Sequence, residues 1–214
     1  IMLTFIKDCR DEFGAALPVL DLGGGYGVRY VESDGSVDIP AAIARVAAHM
    51  KAVCAHLGME LPVVHMEPGR SIVADAGLTL YTVGTVKKIT GYKNYVSIDG
   101  GMTDNPRYAL YGSHYTVYLA SRPEDPAALR CDVVGRCCES GDIICANVRL
   151  PKAESGDLLA VLSTGAYNYS MASNYNRNLI PPVVLVKDGK ADYIVKPQSY
   201  EDLVRNDVVP ERLQ

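Results

Sequence analysis

The sequence predicts an α/β segment followed by an all-β domain, because the spacing of apolar residues changes near residue 78. Before that point, apolar residues recur at intervals of three and four, which is typical of amphipathic helices, and these helices alternate with short apolar runs. After it, short apolar runs are separated by turn sequences such as Ser140-Gly141-Asp142, which is typical of β-strands. We therefore expect one domain over 1–77 and a second over 78–214.

Composition narrows the class of protein. The 214 residues, 48% of them apolar, are enough for one large domain or two small ones. A formal net charge of -4 without a basic block argues against nucleic-acid binding. We expect a cytoplasmic protein without a membrane partner, because no apolar run spans a bilayer and no signal peptide is apparent. Six cysteines without C-x-x-C spacing favour reduced thiols.

The first segment predicts two helices and two short strands in alternation. We expect helices over 2–13 and 39–57, the second capped by Asp38 and Gly58, and strands over 19–22 and 62–66. Such alternation is typical of a (β/α)8 barrel, whose functional residues follow the strands. A complete barrel needs eight units in roughly 250 residues. The segment is therefore either a fragment of a barrel or part of another fold.

The second segment predicts a β-barrel or β-sandwich. Eight short runs have the composition and turn boundaries of strands, and we expect strands at 80–86, 95–98, 115–119, 131–134, 143–144, 158–162, 183–186 and 193–195.

Two motifs follow the strands of the first segment and predict a phosphate-bearing cofactor. Gly23, Gly24 and Gly25 leave backbone N–H groups able to approach an anion, although glycines after a strand can also serve only a tight turn. The run lacks the dinucleotide fingerprint, which disfavours a nicotinamide cofactor. The second motif comprises Glu67, Pro68, Gly69 and Arg70. Its arginine supplies a cation for a phosphate, and its carboxylate can pair with a ring nitrogen of a cofactor. The alternative is that Glu67 and Arg70 form a structural ion pair.

Further candidates lie in the second segment. Arg107 and Tyr111 share one face if the chain is helical there, which suits Arg107 for a substrate carboxylate; the alternative is a solvated arginine packed on a tyrosine. Cys138 and Glu139 place a thiol beside a carboxylate on a turn. A functional role needs Cys138 exposed as a proton donor and Glu139 available to an ammonium group, although a buried, structural cysteine is commoner. The polar, aromatic residues 165–176 are typical of a site lining or an interface. The four histidines have no ligand spacing, so we expect no metal.

These motifs, in this order, closely resemble the diaminopimelate decarboxylase family, within the alanine-racemase-like pyridoxal-phosphate decarboxylases. The resemblance runs from about residue 3 to residue 209 and is carried by 22–27, 67–70, 107–111, 138–142 and 165–176. It implies the C-terminal part of a (β/α)8 TIM-like barrel that binds pyridoxal 5'-phosphate, followed by a C-terminal β-barrel or β-sandwich domain.

The resemblance also implies a role for each motif residue. Gly23 to Gly25 and the Pro68-Gly69-Arg70 turn would hold the cofactor phosphate, and Glu67 would pair with the protonated pyridine nitrogen. Substrate-binding residues would be Arg70, Arg107, Tyr111, Glu139 and Tyr167, with Tyr167 also touching the cofactor. Cys138 would protonate the carbanion left when carbon dioxide departs.

The same resemblance implies a homodimer, in which Cys138 and Glu139 reach into the partner's site. The family's Schiff-base lysine lies on the first barrel strand, and no lysine of this chain occupies such a position. We therefore expect the full enzyme to convert meso-diaminopimelate to lysine, and this segment alone to be inactive. Alternatives are a decarboxylase of another amino acid, such as carboxynorspermidine, arginine or ornithine, and a non-catalytic homologue that regulates a partner.

Overall fold

A computed structural model describes residues 1–213 and divides the chain into two compact units. The first unit, called the α/β unit below, comprises residues 1–29 and 33–74. The second, called the β unit, comprises residues 30–32 together with the chain from residue 75 onward. The helices of the described residues include none long and apolar enough to cross a membrane.

The α/β unit contains two long helices, two short parallel strands and one single-turn helix. In chain order these are α1 (Met2–Phe13), β1 (Val19–Asp21), α2 (Ile39–Leu57), β2 (Val63–His65) and α3 (Arg70–Val73). β1 and β2 pair in parallel, with Val19 opposite Val63 and Asp21 opposite His65. Their carboxyl ends therefore lie side by side, and the two loops that follow begin at the same edge.

The ends of the two long helices follow from their capping residues. The Asp38 side chain accepts a hydrogen bond from the Ala41 N–H at 2.9 Å and so satisfies one of the unpaired donors of the first turn of α2. Gly14 and Gly58 end α1 and α2 in the left-handed region, at φ 65° and 61°. The predicted helices over 2–13 and 39–57 are confirmed.

The core of the α/β unit is small and leaves one strand uncovered. Its buried members are Leu3, Ile6, Leu20, Met50 and Cys54. All three residues of β2 are exposed, with Val63 at 60%. Parallel strands are normally covered on both faces, so this pair has the composition of buried strands without the layers that bury them.

The β unit is built on a mixed six-stranded sheet with the order β5-β8-β3-β4-β6-β7. Its strands are β3 (Leu78–Lys88), β4 (Asn94–Ile98), β5 (Val117–Leu119), β6 (Leu129–Val134), β7 (Ile143–Leu150) and β8 (Leu158–Leu162). The pairs are antiparallel except β4 with β6. A separate antiparallel hairpin follows, formed by β9 (Val183–Lys187) and β10 (Lys190–Val195).

The six-stranded sheet curls into a nearly closed barrel. β5 and β7 stand at opposite ends of the strand order, yet they approach each other. The Cys145 thiol of β7 donates to the carbonyl of Tyr115, just before β5, at 3.8 Å. Of the two architectures that we expected for this domain, the barrel is the one observed.

One apolar cluster fills this barrel. Leu119, Val133, Ile144, Leu159 and Val161 are each at most 1% exposed. Residues 30–32 belong to the same unit because the Tyr30 ring packs edge-on against Tyr115, with centroids 5.3 Å apart. The Thr116 N–H also donates to the Tyr30 carbonyl at 3.1 Å.

Two sequence-based expectations need correction. The strand expected at 143–144 extends to Leu150. The extension was not predicted because Asn147, which adopts a left-handed conformation (φ 60°), interrupts the alternation that marks a strand. The domain expected to be all-β also contains short helices, namely α4 (Arg107–Tyr111), α5 (Asn168–Met171) and α6 (Tyr200–Val204). Each has only four or five residues, which is too short for a helical period to be read from sequence.

We expect Gly77→Ala to destabilise the protein by about 1–3 kcal/mol, because the new methyl group overpacks a backbone contact. A Cβ at Gly77 would lie 2.5 Å from the Cα of Gly165, and backbone atoms cannot rotate away. Gly35→Ala is the matched control, since nothing lies within 4 Å of its Cβ position. Thermal unfolding of the full-length protein measures both, and equal midpoints for the two variants would contradict this packing.

Candidate active site

The glycine and Glu-Pro-Gly-Arg motifs meet at the carboxyl edge of the parallel pair. The Leu22 N–H donates to the carbonyl of His65 at 3.0 Å, which extends the pairing of β1 and β2 by one residue. The Glu67 N–H then donates to the carbonyl of Gly23 at 2.7 Å. The backbones of the two motifs are therefore in direct contact.

The glycines have distinct roles in this contact. A Cβ at Gly24 would lie 2.3 Å from the Glu67 carbonyl oxygen, so no side chain fits there. Gly23 and Gly25 have φ 66° and 87°, which L-residues rarely adopt. The Gly23 N–H is already bonded to the Asp21 carboxylate at 2.7 Å. Within residues 1–213, the N–H groups of Gly24 and Gly25 donate no hydrogen bond, so these two are available to an anion.

The charged residues of the second motif differ in exposure. Glu67 is exposed, whereas Arg70 is half-buried at the start of α3. The turn is closed by a hydrogen bond from the Ile72 N–H to the Gly69 carbonyl at 3.1 Å. The motif that contacts the glycine loop thus carries one exposed carboxylate and one half-buried guanidinium.

In the β unit, Arg107 is buried between two tyrosines. Its guanidinium carbon lies 5.2 Å from the ring centroid of Tyr111 and 5.5 Å from that of Tyr167. Arg107 and Tyr111 are the first and last residues of α4, so the helical spacing expected from the sequence is observed. The Arg107 residue is only 6% exposed, whereas both rings are exposed.

Several buried polar atoms around Arg107 have no well-formed hydrogen bond within residues 1–213, although the Tyr115 hydroxyl lies close enough to interact with the side chains of both Arg107 and Asn168. These buried atoms are Nε of Arg107, the hydroxyl of Tyr115 and both amide atoms of Asn168. Burial raises the pKa of Tyr115 to about 12, against the opposing effect of the nearby Arg107 cation. Buried donors and acceptors without partners mark a place where a polar ligand or water completes the hydrogen bonding.

The loop that carries Cys138 and Glu139 is exposed at its side chains and held at its backbone. The Cys138 N–H donates to Oδ1 of Asn176 at 2.7 Å, and the Glu139 N–H donates to the carbonyl of Cys137 at 2.8 Å. Both side chains reach solvent. The Cys138 side chain is therefore exposed in the single chain, whereas the alternative role expects a buried one.

The buried Asp142 side chain holds the backbone of this loop. It is 4% exposed, and its two carboxylate oxygens accept the N–H groups of Met102 and Cys137, each at 2.7 Å. Cβ atoms at Gly101 and Gly135 would lie 2.6 and 2.2 Å from that carboxylate, so both positions exclude a side chain. Burial and the Asp142 charge also raise the pKa of the Cys137 thiol.

A second buried carboxylate supports the loop that leads to Arg107. The Tyr81 hydroxyl of β3 and the Gly101 N–H both donate to Asp104, the latter at 2.9 Å. Burial raises the pKa of Asp104 despite these hydrogen bonds. Residue 103 of the same loop accepts the Ser173 N–H through its carbonyl at 2.8 Å. The loop over 100–105 thus links β3, the Cys138 loop and the 165–176 segment.

The predicted site residues form three groups. Gly23 to Gly25 contact the Glu67 to Arg70 motif; Arg107 contacts Tyr111 and Tyr167; and the Cys138-Glu139 pair contacts Asn176. Sequence reasoning did not single out Asp104, Asp142, Asn168 or Asn176 as site residues. All four did fall within sequence segments that drew attention, at 99–111, 138–142 and 165–176, and the polar side chains of those segments were the available signal. No group of three His, Cys, Asp or Glu side chains within residues 1–213 is arranged to hold a metal ion.

The barrel-like sheet and the two loop motifs define a class of protein. The family model for the C-terminal sheet domain of pyridoxal-dependent decarboxylases matches residues 17–165. The chain belongs to this family, whose members depend on pyridoxal phosphate.

Among curated relatives, the chain is similar to the diaminopimelate decarboxylases of Bacillus subtilis and Staphylococcus aureus. It is 43% identical to the first over 203 residues, covering 95% of this chain and 46% of that protein. Identity to the second is 47% over 208 residues, covering 97% of this chain and 48% of that protein. The chain therefore spans about half the length of the curated relatives that it matches.

Solved structures give the same relationship. Diaminopimelate decarboxylase from M. jannaschii in complex with L-lysine superimposes with a TM-score of 0.86 and 32% identity, over 99% of this chain and 48% of that one. The Vibrio vulnificus lysine/ornithine decarboxylase complexed with cadaverine has a TM-score of 0.68 at 23% identity, over 81% of this chain and 45% of that one. The second likeness shows a shared fold alone.

We expect Asp104→Asn to be at least as stable as the wild type at pH 7.5, and to lose that advantage towards pH 4. A carboxyl whose pKa is raised by folding contributes stability below its unfolded pKa of about 3.8 and loses it as the pH rises through the folded value. Asparagine keeps a carbonyl for the Gly101 N–H and does not titrate. Unfolding in denaturant at several pH values measures this, and a variant that weakens relative to the wild type as pH rises would show that the ionised carboxylate is the stabilising form.

Proposed function

We propose that this chain is the C-terminal half of an enzyme that decarboxylates meso-2,6-diaminopimelate to L-lysine and carbon dioxide, the last step of lysine biosynthesis. The observation that carries the proposal is the buried Arg107 between Tyr111 and Tyr167, in a chain 43–47% identical to diaminopimelate decarboxylases. A buried guanidinium with aromatic walls suits a carboxylate at one end of an amino acid.

The α/β unit would be the end of a (β/α)8 barrel, and the domains would be 1–77 and 78–214. Exposed Val19, Val63 and Val64 support this, because two parallel strands with apolar side chains need further strands and helices to cover them. The diaminopimelate decarboxylase of Bacillus subtilis, of which this chain covers 46%, is long enough to contain such strands and helices. The six cysteines are free thiols in residues 1–213, which supports a cytoplasmic enzyme.

The residues of the α/β unit fit the cofactor's phosphate and ring. The N–H groups of Gly24 and Gly25 and the Pro68-Gly69-Arg70 turn would bind the phosphate, with Gly23 providing the left-handed turn. Glu67 is exposed and would pair with the ring nitrogen. When bound, pyridoxal phosphate supplies an electron sink for the bond broken in decarboxylation.

The residues of the β unit would bind substrate and move a proton. Arg107 and Tyr111 would hold the distal carboxylate, Glu139 the distal ammonium, and Tyr167 both cofactor and substrate. Cys138 would donate its thiol proton to the carbon that has lost carbon dioxide.

The active unit would be a homodimer. Cys138 and Glu139 are exposed in the single chain, whereas a proton donor works best where water is excluded. A second copy of the enzyme would provide that cover. Covalent attachment of the cofactor needs a lysine from outside this chain, so residues 1–214 alone would be inactive.

Two other functions remain as outcomes of the test. The first is decarboxylation of another amino acid, such as ornithine, arginine or carboxynorspermidine. A non-catalytic homologue that regulates a partner would keep the fold but release no carbon dioxide.

The test is release of carbon dioxide by the full-length protein from a panel of amino acids. We expect meso-diaminopimelate to be preferred, and Cys138→Ala to slow its turnover by about ten- to ten-thousand-fold. Cys137→Ala, at the neighbouring cysteine, is the control for thiol loss alone. Preference for another substrate would replace the assignment, absence of any release would favour the regulatory role, and turnover by residues 1–214 alone would contradict the need for a lysine.

Gly24→Ala should weaken cofactor binding in the full-length protein by at least about tenfold, because its methyl group displaces the Glu67 carbonyl and with it the phosphate loop. Gly27→Ala is the matched control from the same loop, since its nearest neighbour is a Val37 methyl group at 3.9 Å. Cofactor retained after dialysis, measured by absorbance, gives the affinity. Equal retention by both variants would remove the glycine loop from the phosphate site.

A further inference from the structure

The Cys137-Cys138 backbone is anchored at two successive N–H groups by two side chains, one from five residues further along the chain and one from 38 residues further along. Asp142 accepts the Cys137 N–H, and Asn176 accepts the Cys138 N–H, each at 2.7 Å. The Tyr175 hydroxyl donates to the carbonyl of Cys138 at 3.3 Å. Cys138 is therefore held on both sides of its Cα, while its side chain stays exposed.

Asn176 reaches Cys138 from an uncommon backbone conformation. It lies in the left-handed region at φ 53° and ψ 25°, and Arg177 follows at φ 56°. Asparagine tolerates this region better than most residues, but arginine does not. Two such residues in succession persist only where the surrounding contacts determine them, and such sites cluster where geometry matters for function.

The surrounding contacts do determine this turn. The Arg177 guanidinium donates to the Leu203 carbonyl at 3.0 Å and to the Asp207 carboxylate at 3.1 Å. The Asn174 side chain donates to the Asn178 carbonyl at 2.8 Å. The turn is thus fixed by its own neighbours, and the Asn176 amide is left to serve Cys138.

We propose that Asn176 is the positioning residue for the Cys138 thiol: its left-handed turn presents Oδ1 to the Cys138 N–H and so fixes the direction of the Cys138 side chain. This rests on the proposed function, in which that thiol donates the proton. Asn176 bonds only the backbone of Cys138, so it acts through the thiol's position and not on the substrate. Proton donation is sensitive to displacements of about 1 Å, so loss of the acceptor should lower kcat more than it changes KM.

Two substitutions separate this role from that of a residue that merely fills a turn. Asn176→Gly keeps the left-handed backbone and removes the acceptor, whereas Asn176→Asp keeps an acceptor of the same shape. Asn147→Gly is the matched control. Asn147 is also left-handed, at φ 60°, but its side chain accepts from Arg130 and not from the Cys138 loop.

In the full-length, cofactor-loaded enzyme, we expect Asn176→Gly to lower kcat for meso-diaminopimelate by about 10- to 100-fold with KM within threefold. Its solvent deuterium isotope effect on kcat should rise as proton donation becomes rate-limiting. Asn176→Asp should remain within about threefold of the wild type, and Asn147→Gly should be unchanged. An effect on KM alone, or equal losses in the Gly and Asp variants, would overturn the positioning role.

Alkylation of Cys138 by iodoacetamide, followed by peptide mass spectrometry without substrate, tests the same contact independently of turnover. Asn176→Gly should alkylate at least threefold faster than the wild type, because the loop is released, and Asn147→Gly should not. If Asn176→Gly fails to fold, Tyr175→Phe removes only the weaker contact and should raise the rate in the same direction. Wild-type alkylation in the folded variants would overturn the proposal.

The two proposals fail separately. If Cys138→Ala turns over at the wild-type rate, the proton-donor assignment fails, while the alkylation rates still measure the contact between Asn176 and Cys138. If Cys138→Ala is slow but Asn176→Gly matches the wild type in both turnover and alkylation, only the positioning role is overturned.

Discussion

The buried carboxylate of Asp142 is the interaction on which the loop end of the β unit depends. An isolated charge at 4% exposure is costly, and here the N–H groups of Met102 and Cys137 compensate it. Because Gly101 and Gly135 have no Cβ, their backbones can approach the carboxylate from two sides. The loops that follow β4 and β6 are thereby held against the start of β7. Arg107 and Cys138 each lie within a few residues of one of these anchored positions.

The two units differ in how much apolar surface each buries within itself. The β unit closes its sheet into a barrel and fills it with one cluster of almost fully buried side chains. The α/β unit has one small apolar cluster, between its helices and β1, and leaves β2 exposed. Hydrophobic burial is the main stabilising term in folding, so the α/β unit is the part that gains most from additional chain. Its glycine loop nevertheless has defined geometry, because backbone hydrogen bonds between the two motifs hold it.

Local patterns predicted the elements, and long-range contacts explain what was missed. Asp38 and Gly58 bracket the period of α2, and the spacing of Arg107 and Tyr111 predicted the face on which they meet. The strand predicted for β7 was too short because Asn147 breaks the alternation of apolar and polar residues. Asp142 joins Met102 across 40 residues, and Asn176 joins Cys138 across 38. Such pairs depend on the register of the folded sheet and on a left-handed turn, which no pattern within a window of sequence specifies.

The assignment of residues 30–32 to the β unit has a consequence for how the chain is ordered in time. The Tyr30 carbonyl receives both donors of Thr116, and its ring covers Tyr115, so the chain beyond residue 75 lacks part of its own cover. On the ribosome, these three residues emerge long before the strands that they join. A contact with so large a separation in sequence forms late, since loop closure must precede it. The β unit is therefore a discontinuous folding unit, and residues 30–32 have to wait for strands made much later before they can complete it.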